Sequence, residues 1–106
     1  MPFDADRAES LVGKPRDEYK CNHVVNEAIH GDKNRGGLAK DYLSYGSLVD
    51  KPAAGVVVVG KDGKHAGVFV NDKEFIHSSL SKKEVIKVEL GQLDHVFPKG
   101  YELRNN

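Results

Sequence analysis

The 106 residues carry sixteen basic and sixteen acidic side chains, so the formal net charge is zero, with 39% hydrophobic and 30% charged content. This balance suits one small globular domain over 1–106, its core near the lower end of a comfortable size, and excludes a field favouring nucleic acid or anionic membrane. No run approaches the ~20 apolar residues of a membrane span, MPFDADRAES has no basic n-region or apolar h-region, and one cysteine excludes an internal disulfide, so the expectation is a chain made in a reducing cytoplasm without a signal peptide, or a domain cut from something larger.

From the N-terminus, residues 4–12 place Ala5, Ala8, Leu11 and Val12 at helical spacing, with Asp4 as N-cap and Gly13 as stop. GKPRDEYK is a polar loop. Cys21, Val24, Val25, Ala28 and Ile29 then recur at i, i+3, i+4, i+7 and i+8, which predicts one face of a helix ending near Gly31. HGDKNRGG (30–37) holds three glycines and little apolar material, so a mobile surface loop is expected. Leaving the far end of the helix, it would start ~13–15 Å from Cys21 at about 1.5 Å per residue. At that distance Lys33 and Arg35 suit contact with a remote part of a substrate or an inhibitor; a solvated connector without a role is the equal alternative. Leu38, Ala39, Tyr42, Leu43 and Tyr45 predict a third short helix closed by Gly46.

From Asp50 the period changes. Val56 to Val59 reads as a short strand buried on both faces, and Asp62-Gly63 is a hairpin turn signal. HAGVFV (65–70), EFIHS (74–78) and EVIKVEL (84–90) follow as strands, and VF (96–97) with YELR (101–104) is expected to close the sheet. Helices first and a meandering antiparallel sheet afterwards predict an α+β fold.

Three residues stand out for chemistry. Cys21 opens the second helix, where about half a positive charge and unpaired N–H groups favour a thiolate and can cradle an oxyanion. A lone cysteine on an apolar helix face is equally a small buried hydrophobe. His65 gains interest from register. A two-residue Asp62-Gly63 turn pairs Lys61 with Lys64, so that Gly60 faces His65, and Val56, Val58, Gly60, His65, Gly67 and Phe69 share one face. Gly60 and Gly67 would then either leave space for a substrate or merely serve turn and twist. A three-residue loop Asn71-Asp72-Lys73 sets Gly67 against His77, which puts the two histidines on one face ~7–8 Å apart at Cα. A two-residue loop would send His77 to the other face. His23, His30 and His95 read as incidental, and no third ligand at metal-site spacing accompanies the histidines, so neither metal nor cofactor is expected.

The segment GKHAGVFVNDKEFIHSS resembles the NlpC family of papain-like cell-wall peptidases. His65 to Phe69 match the family's Gly-His-Val-Gly-Ile-Tyr strand, Phe75, Ile76 and His77 match its Phe/Met-Ile-His strand, and the twelve-residue step between the histidines is the family's usual spacing. KPAAGVVVV is similar to the family's lead-in strand. The family's Asp-Cys-Ser-Gly is replaced by Lys20-Cys21-Asn22-His23, closer to the compact amidase effectors delivered by type VI secretion. The resemblance implies a papain-like (NlpC-type) fold, with Cys21 as nucleophile, His65 as general base then acid, and His77 as the orienting member. It implies a cysteine hydrolase that cuts an amide bond of peptidoglycan stem peptides, as an antibacterial effector exported to a target-cell periplasm and held in check by an immunity protein. The alternatives are a deamidase or acyltransferase of the same fold acting on protein or lipid, and a non-catalytic binding module whose cysteine is structural.

Overall fold

A computed structural model describes residues 3–106. Asp4 caps helix α1 (Ala5–Glu9) by accepting from the backbone N–H groups of Asp6 and Arg7 at 2.9 and 3.2 Å. Arg7 in turn donates from Nε and an Nη to the carbonyls of Glu27 and Ala28 at 2.8 Å. It thus places a cation at the negative end of helix α2 (Cys21–His30), where Gly31 stops the chain in the left-handed conformation at φ 77°. The third predicted helix forms as a 3₁₀ turn over Ala39–Ser44.

The strands are β1 (Ser47–Leu48), β2 (Val57–Gly60), β3 (Ala66–Phe69), β4 (Glu74–Ser78), β5 (Val85–Glu89) and β6 (Tyr101–Asn105). They form one antiparallel sheet in the order β1-β6-β2-β3-β4-β5, so the fold is α+β. The last strand joins the sheet beside β2, and the sheet stays open. Val96 and Phe97 are not strand. A short helix α3 (Leu93–Val96) carries Phe97 down onto the sheet as a buried plug.

The alternation along β2 explains why that strand is apolar throughout. Val57 and Val59 join Ala66, Val68, Ile76 and Val85 in a core roofed by α2 through Cys21, Val24, Val25 and Ala28. Val56 and Val58 face the other way, into a second cluster with Phe69, Phe75, Leu93 and Phe97. The sheet is therefore buried on both faces, and period-two alternation sorts its side chains between two separate cores.

Two turns fix the register. Asn71 Oδ1 accepts from the N–H groups of Lys73 and Glu74, both at 2.8 Å, and this pins the three-residue loop that pairs Gly67 with His77. At the β2–β3 end the pairing Val58↔Gly67 and Val59↔Ala66 carries on to a Gly60 N–H to His65 carbonyl bond of 2.9 Å. The tight turn sits one residue earlier than the Asp62-Gly63 signal implied: Gly63 N–H closes on the Gly60 carbonyl at 2.8 Å, with Gly63 at φ 72°. Because the pairing sum is unchanged, the face assignment survives the shift of the turn.

Candidate active site

Strand parity places the two histidines together. His65 Nε2 and His77 Nδ1 are 2.9 Å apart, with ring centroids 5.1 Å apart and the planes nearly perpendicular at 89°. His65 also lies 5.4 Å, centroid to centroid, from Phe97, and His77 lies 5.7 Å from Phe75. Burial is the main reason both imidazoles are held neutral. His65 is pushed down to about 4 by burial and then by the Arg16 charge, against a smaller opposing pull from Asp62. His77 is pushed down to about 3 by burial, then by His65 and Arg16. His77 is 5% exposed and its Nε2 has no hydrogen-bond partner among the described residues.

The two glycines beside the pair do not open a substrate pocket. A Cβ on Gly67 would lie 2.9 Å from the Ile76 carbonyl oxygen and 3.2 Å from His77 Cβ. One on Gly60 would meet Asp62 Oδ1 at 3.0 Å and the Phe97 ring at 3.4 Å. The missing side chains admit β4, His77 and Phe97. The space beside both glycines is thus filled by protein, and His65 stands at the end of the sheet where β3 begins.

Cys21 stands at that end, on the opposite side of the sheet. Its side chain belongs to the core under α2 and is 8% exposed, and its thiol reaches the Lys64 carbonyl at 3.9 Å. Lys64 is the residue before His65, so the sulfur lies against the backbone that leads into the imidazole. The start of α2 carries no side-chain cap, because the N-cap residue is Lys20. A lysine has no acceptor to offer, and its charge opposes the positive helix end. Such a violation leaves the first-turn N–H groups available beside the thiol. His23 helps in another way, accepting the Lys20 N–H at Nδ1 over 3.1 Å. Burial, then Lys33 and Lys20, lowers its pKa, so the ring stays in the neutral form that can accept.

The 30–37 loop is not remote. It turns back along α2 and is tied down by two asparagines: Asn26 Nδ2 donates to the Lys33 and Gly37 carbonyls at 2.9 and 3.1 Å, and Asn22 Nδ2 donates to Gly37 at 3.1 Å. Gly37 therefore lies beside the residue that follows Cys21. Gly36 must be glycine, at φ 125°, since a Cβ would come within 2.6 Å of Asn26 Oδ1 and of the Tyr42 hydroxyl. Lys33 Nζ donates to the Glu18 carbonyl at 3.0 Å and lies 4.8 Å from the centre of the Tyr19 ring, which ties it to the loop before Cys21.

Sequence reasoning missed Arg16. It reads as one more polar loop residue, and only the tertiary pairing of loop 13–20 with loop 79–84 reveals its place. Pro15 bridges Glu84, Arg16 N–H bonds the Lys83 carbonyl at 3.0 Å, and the guanidinium donates to the Ser78 carbonyl, next to His77. His30 and His95 stay outside the cluster, at the far end of α2 and on the exposed side of α3.

Among the described residues no group of three His, Cys, Asp or Glu is placed to hold a metal ion, and no helix is long and apolar enough to cross a membrane. Three open hollows lie elsewhere, lined in turn by the 48–50 and 101–103 segments, by the ends of β4 and β5, and by Phe3, His30 and Tyr45. No family model and no curated protein matches the chain.

Proposed function

We propose that the chain is a papain-like (NlpC-type) cysteine amidase, with Cys21 as nucleophile, His65 as the proton-transfer group and His77 as its orienting partner. The observation that carries this reading is the 2.9 Å bond between His65 Nε2 and His77 Nδ1, set one residue along the chain from the Lys64 carbonyl that holds the Cys21 thiol. His77 occupies Nε2 of His65. The remaining nitrogen, Nδ1, is the one left for proton transfer with the thiol.

In the proposed cycle His65 takes the thiol proton and the sulfur attacks an amide carbonyl. The Cys21 N–H and the uncapped first turn of α2 hold the oxyanion. The C–N bond then breaks as His65 protonates the amine, leaving a thioester. His65 next draws a proton from water, which attacks the thioester and frees the acid and the thiol. No cofactor enters. The resemblance of the histidine hairpin to cell-wall peptidases supports a peptidoglycan stem peptide as substrate, with an immunity protein as inhibitor in an exporting cell.

A second reading is favoured by one observation. The thiol is buried and bonded to a carbonyl rather than an imidazole, as in a structural cysteine of a binding module.

The deciding experiment is mass spectrometry of muropeptides after incubation with the protein. Wild type is expected to release cleaved stem peptides, whereas Cys21→Ala and His65→Ala release none. His77→Ala should retain a small residual rate, and His95→Ala should match wild type. Intact muropeptides with wild type, together with a thiol inert to iodoacetamide until unfolding, would establish the structural cysteine. Intact muropeptides with a reactive thiol would point to the deamidase or acyltransferase alternative.

A further inference from the structure

Arg16 is half-buried, and among the described residues its guanidinium donates to a carbonyl, that of Ser78, and to no carboxylate. Among the described residues the ion pairs are Arg7–Asp4, Lys87–Glu9 and Arg104–Glu102, so Arg16 has no carboxylate partner. A guanidinium carries five N–H donors in a planar fork suited to two oxygens of one carboxylate. Holding one partly desolvated without a counter-charge is costly, and most such groups are paired.

The surroundings add to this positive character. Loops 13–20 and 79–84, joined through Arg16, carry five basic and three acidic residues in a chain whose net charge is zero. Both loops border the sheet end where β3 begins: loop 79–84 leaves β4 after Ser78, the acceptor of the Arg16 guanidinium, and loop 13–20 leads into Cys21.

We propose that Arg16 is the docking point for a carboxylate of the substrate, which makes the enzyme selective for amides carrying an acidic group near the scissile bond. The proposal deepens the amidase reading and rests on Cys21 being its nucleophile. It has a consequence for proton transfer. The Arg16 charge is one of the forces that hold His65 and His77 neutral. A bound carboxylate would offset it and move His65 back toward the range in which an imidazole exchanges protons readily. The substrate would thereby help to prepare its own catalyst.

The test compares alkylation of Cys21 by iodoacetate, which carries a carboxylate, and by iodoacetamide, which does not, in wild type, Arg16→Gln and Arg16→Lys. Wild type is expected to show saturable iodoacetate inactivation. In Arg16→Gln the half-saturating concentration should rise roughly fivefold, the size of a partly screened charge contact. An unchanged circular-dichroism spectrum and thermal midpoint confirm an intact fold, and Arg16→Lys should recover part of the affinity. An unchanged iodoacetate affinity in Arg16→Gln overturns the docking role and leaves the amidase reading standing. A thiol inert to both reagents in the folded protein overturns the nucleophile assignment and the docking site with it.

Discussion

At the scale of single residues, the informative group is His77. Its Nδ1 is matched to His65, while among the described residues its buried Nε2 has no hydrogen-bond partner. In the neutral pair one proton is shared between the rings. If His65 donates, its Nδ1 is free as a base, and His77 must bury an unpartnered N–H, a cost of roughly 1–3 kcal/mol. That cost stays only while the surrounding aromatic shell over-determines the ring, which makes the site a place where stability is given up. The pair also makes the fold acid-sensitive. Above the ordinary histidine value of about 6.5 both folded and unfolded chains hold neutral rings. Below it the unfolded chain takes up protons, while the folded one refuses them until about 4 for His65 and about 3 for His77. Unfolding then binds protons, so stability falls as pH drops from about 6.5 toward 4. Urea denaturation of wild type at pH 7 and at pH 4.5 is expected to show a lower midpoint in acid, and His77→Phe should flatten that dependence. Equal acid sensitivity in the variant would mean that His77 is not the group responsible.

At the scale of elements, the β3–β4 hairpin is the device that builds the pair. A three-residue loop held by Asn71 sets the register, and a glycine at 67 lets the strands and the His77 stem come close. Gly67→Ala would push a methyl group against the Ile76 carbonyl oxygen at 2.9 Å, a backbone atom that cannot swing away. The variant is expected to lose roughly 1–3 kcal/mol of stability by overpacking. Under the amidase proposal its turnover should fall further than that loss explains, because His77 moves with the strand. Urea denaturation and turnover measured on the folded fraction separate the two effects. A fully stable Gly67→Ala would show that the hairpin is looser than its contacts imply.

At the scale of the whole molecule, the candidate site is an assembly of three loops around one end of an open sheet. Loop 13–20 brings Arg16 and Tyr19, the 30–37 segment folds back to Asn22, and the β2–β3 turn presents the Lys64 carbonyl. Lys33 links the first two, through the Glu18 carbonyl and the Tyr19 ring. Lys33→Ala should therefore loosen the segment just before Cys21, at a stability cost of about 0.5–1.5 kcal/mol. Hydrogen exchange is the direct measurement: amides of 16–20 should exchange faster, while those of β3 and β4 keep their protection. Unchanged exchange over 16–20 would return Lys33 to the role of a solvated charge.

Local rules in the sequence determined a good deal. The apolar spacing from Cys21 to Ile29, the left-handed stop at Gly31 and the Asn71 loop each depend on neighbours a few residues away, so helix α2, strand parity and the shared face of His65 and His77 were all legible. The tertiary structure alone decided what covers that face and what borders the thiol. Phe97 reads as strand, yet it plugs the sheet from a short helix, because a second apolar cluster needed a lid. The 30–37 loop reads as remote, yet side-chain amides on α2 draw it back to Asn22. Arg16 reads as a loop charge, yet it is set beside the histidines by a pairing with residues 83 and 84. Each of these contacts joins segments whose approach depends on the global packing of the sheet, and period and propensity in one stretch of chain carry no information about it.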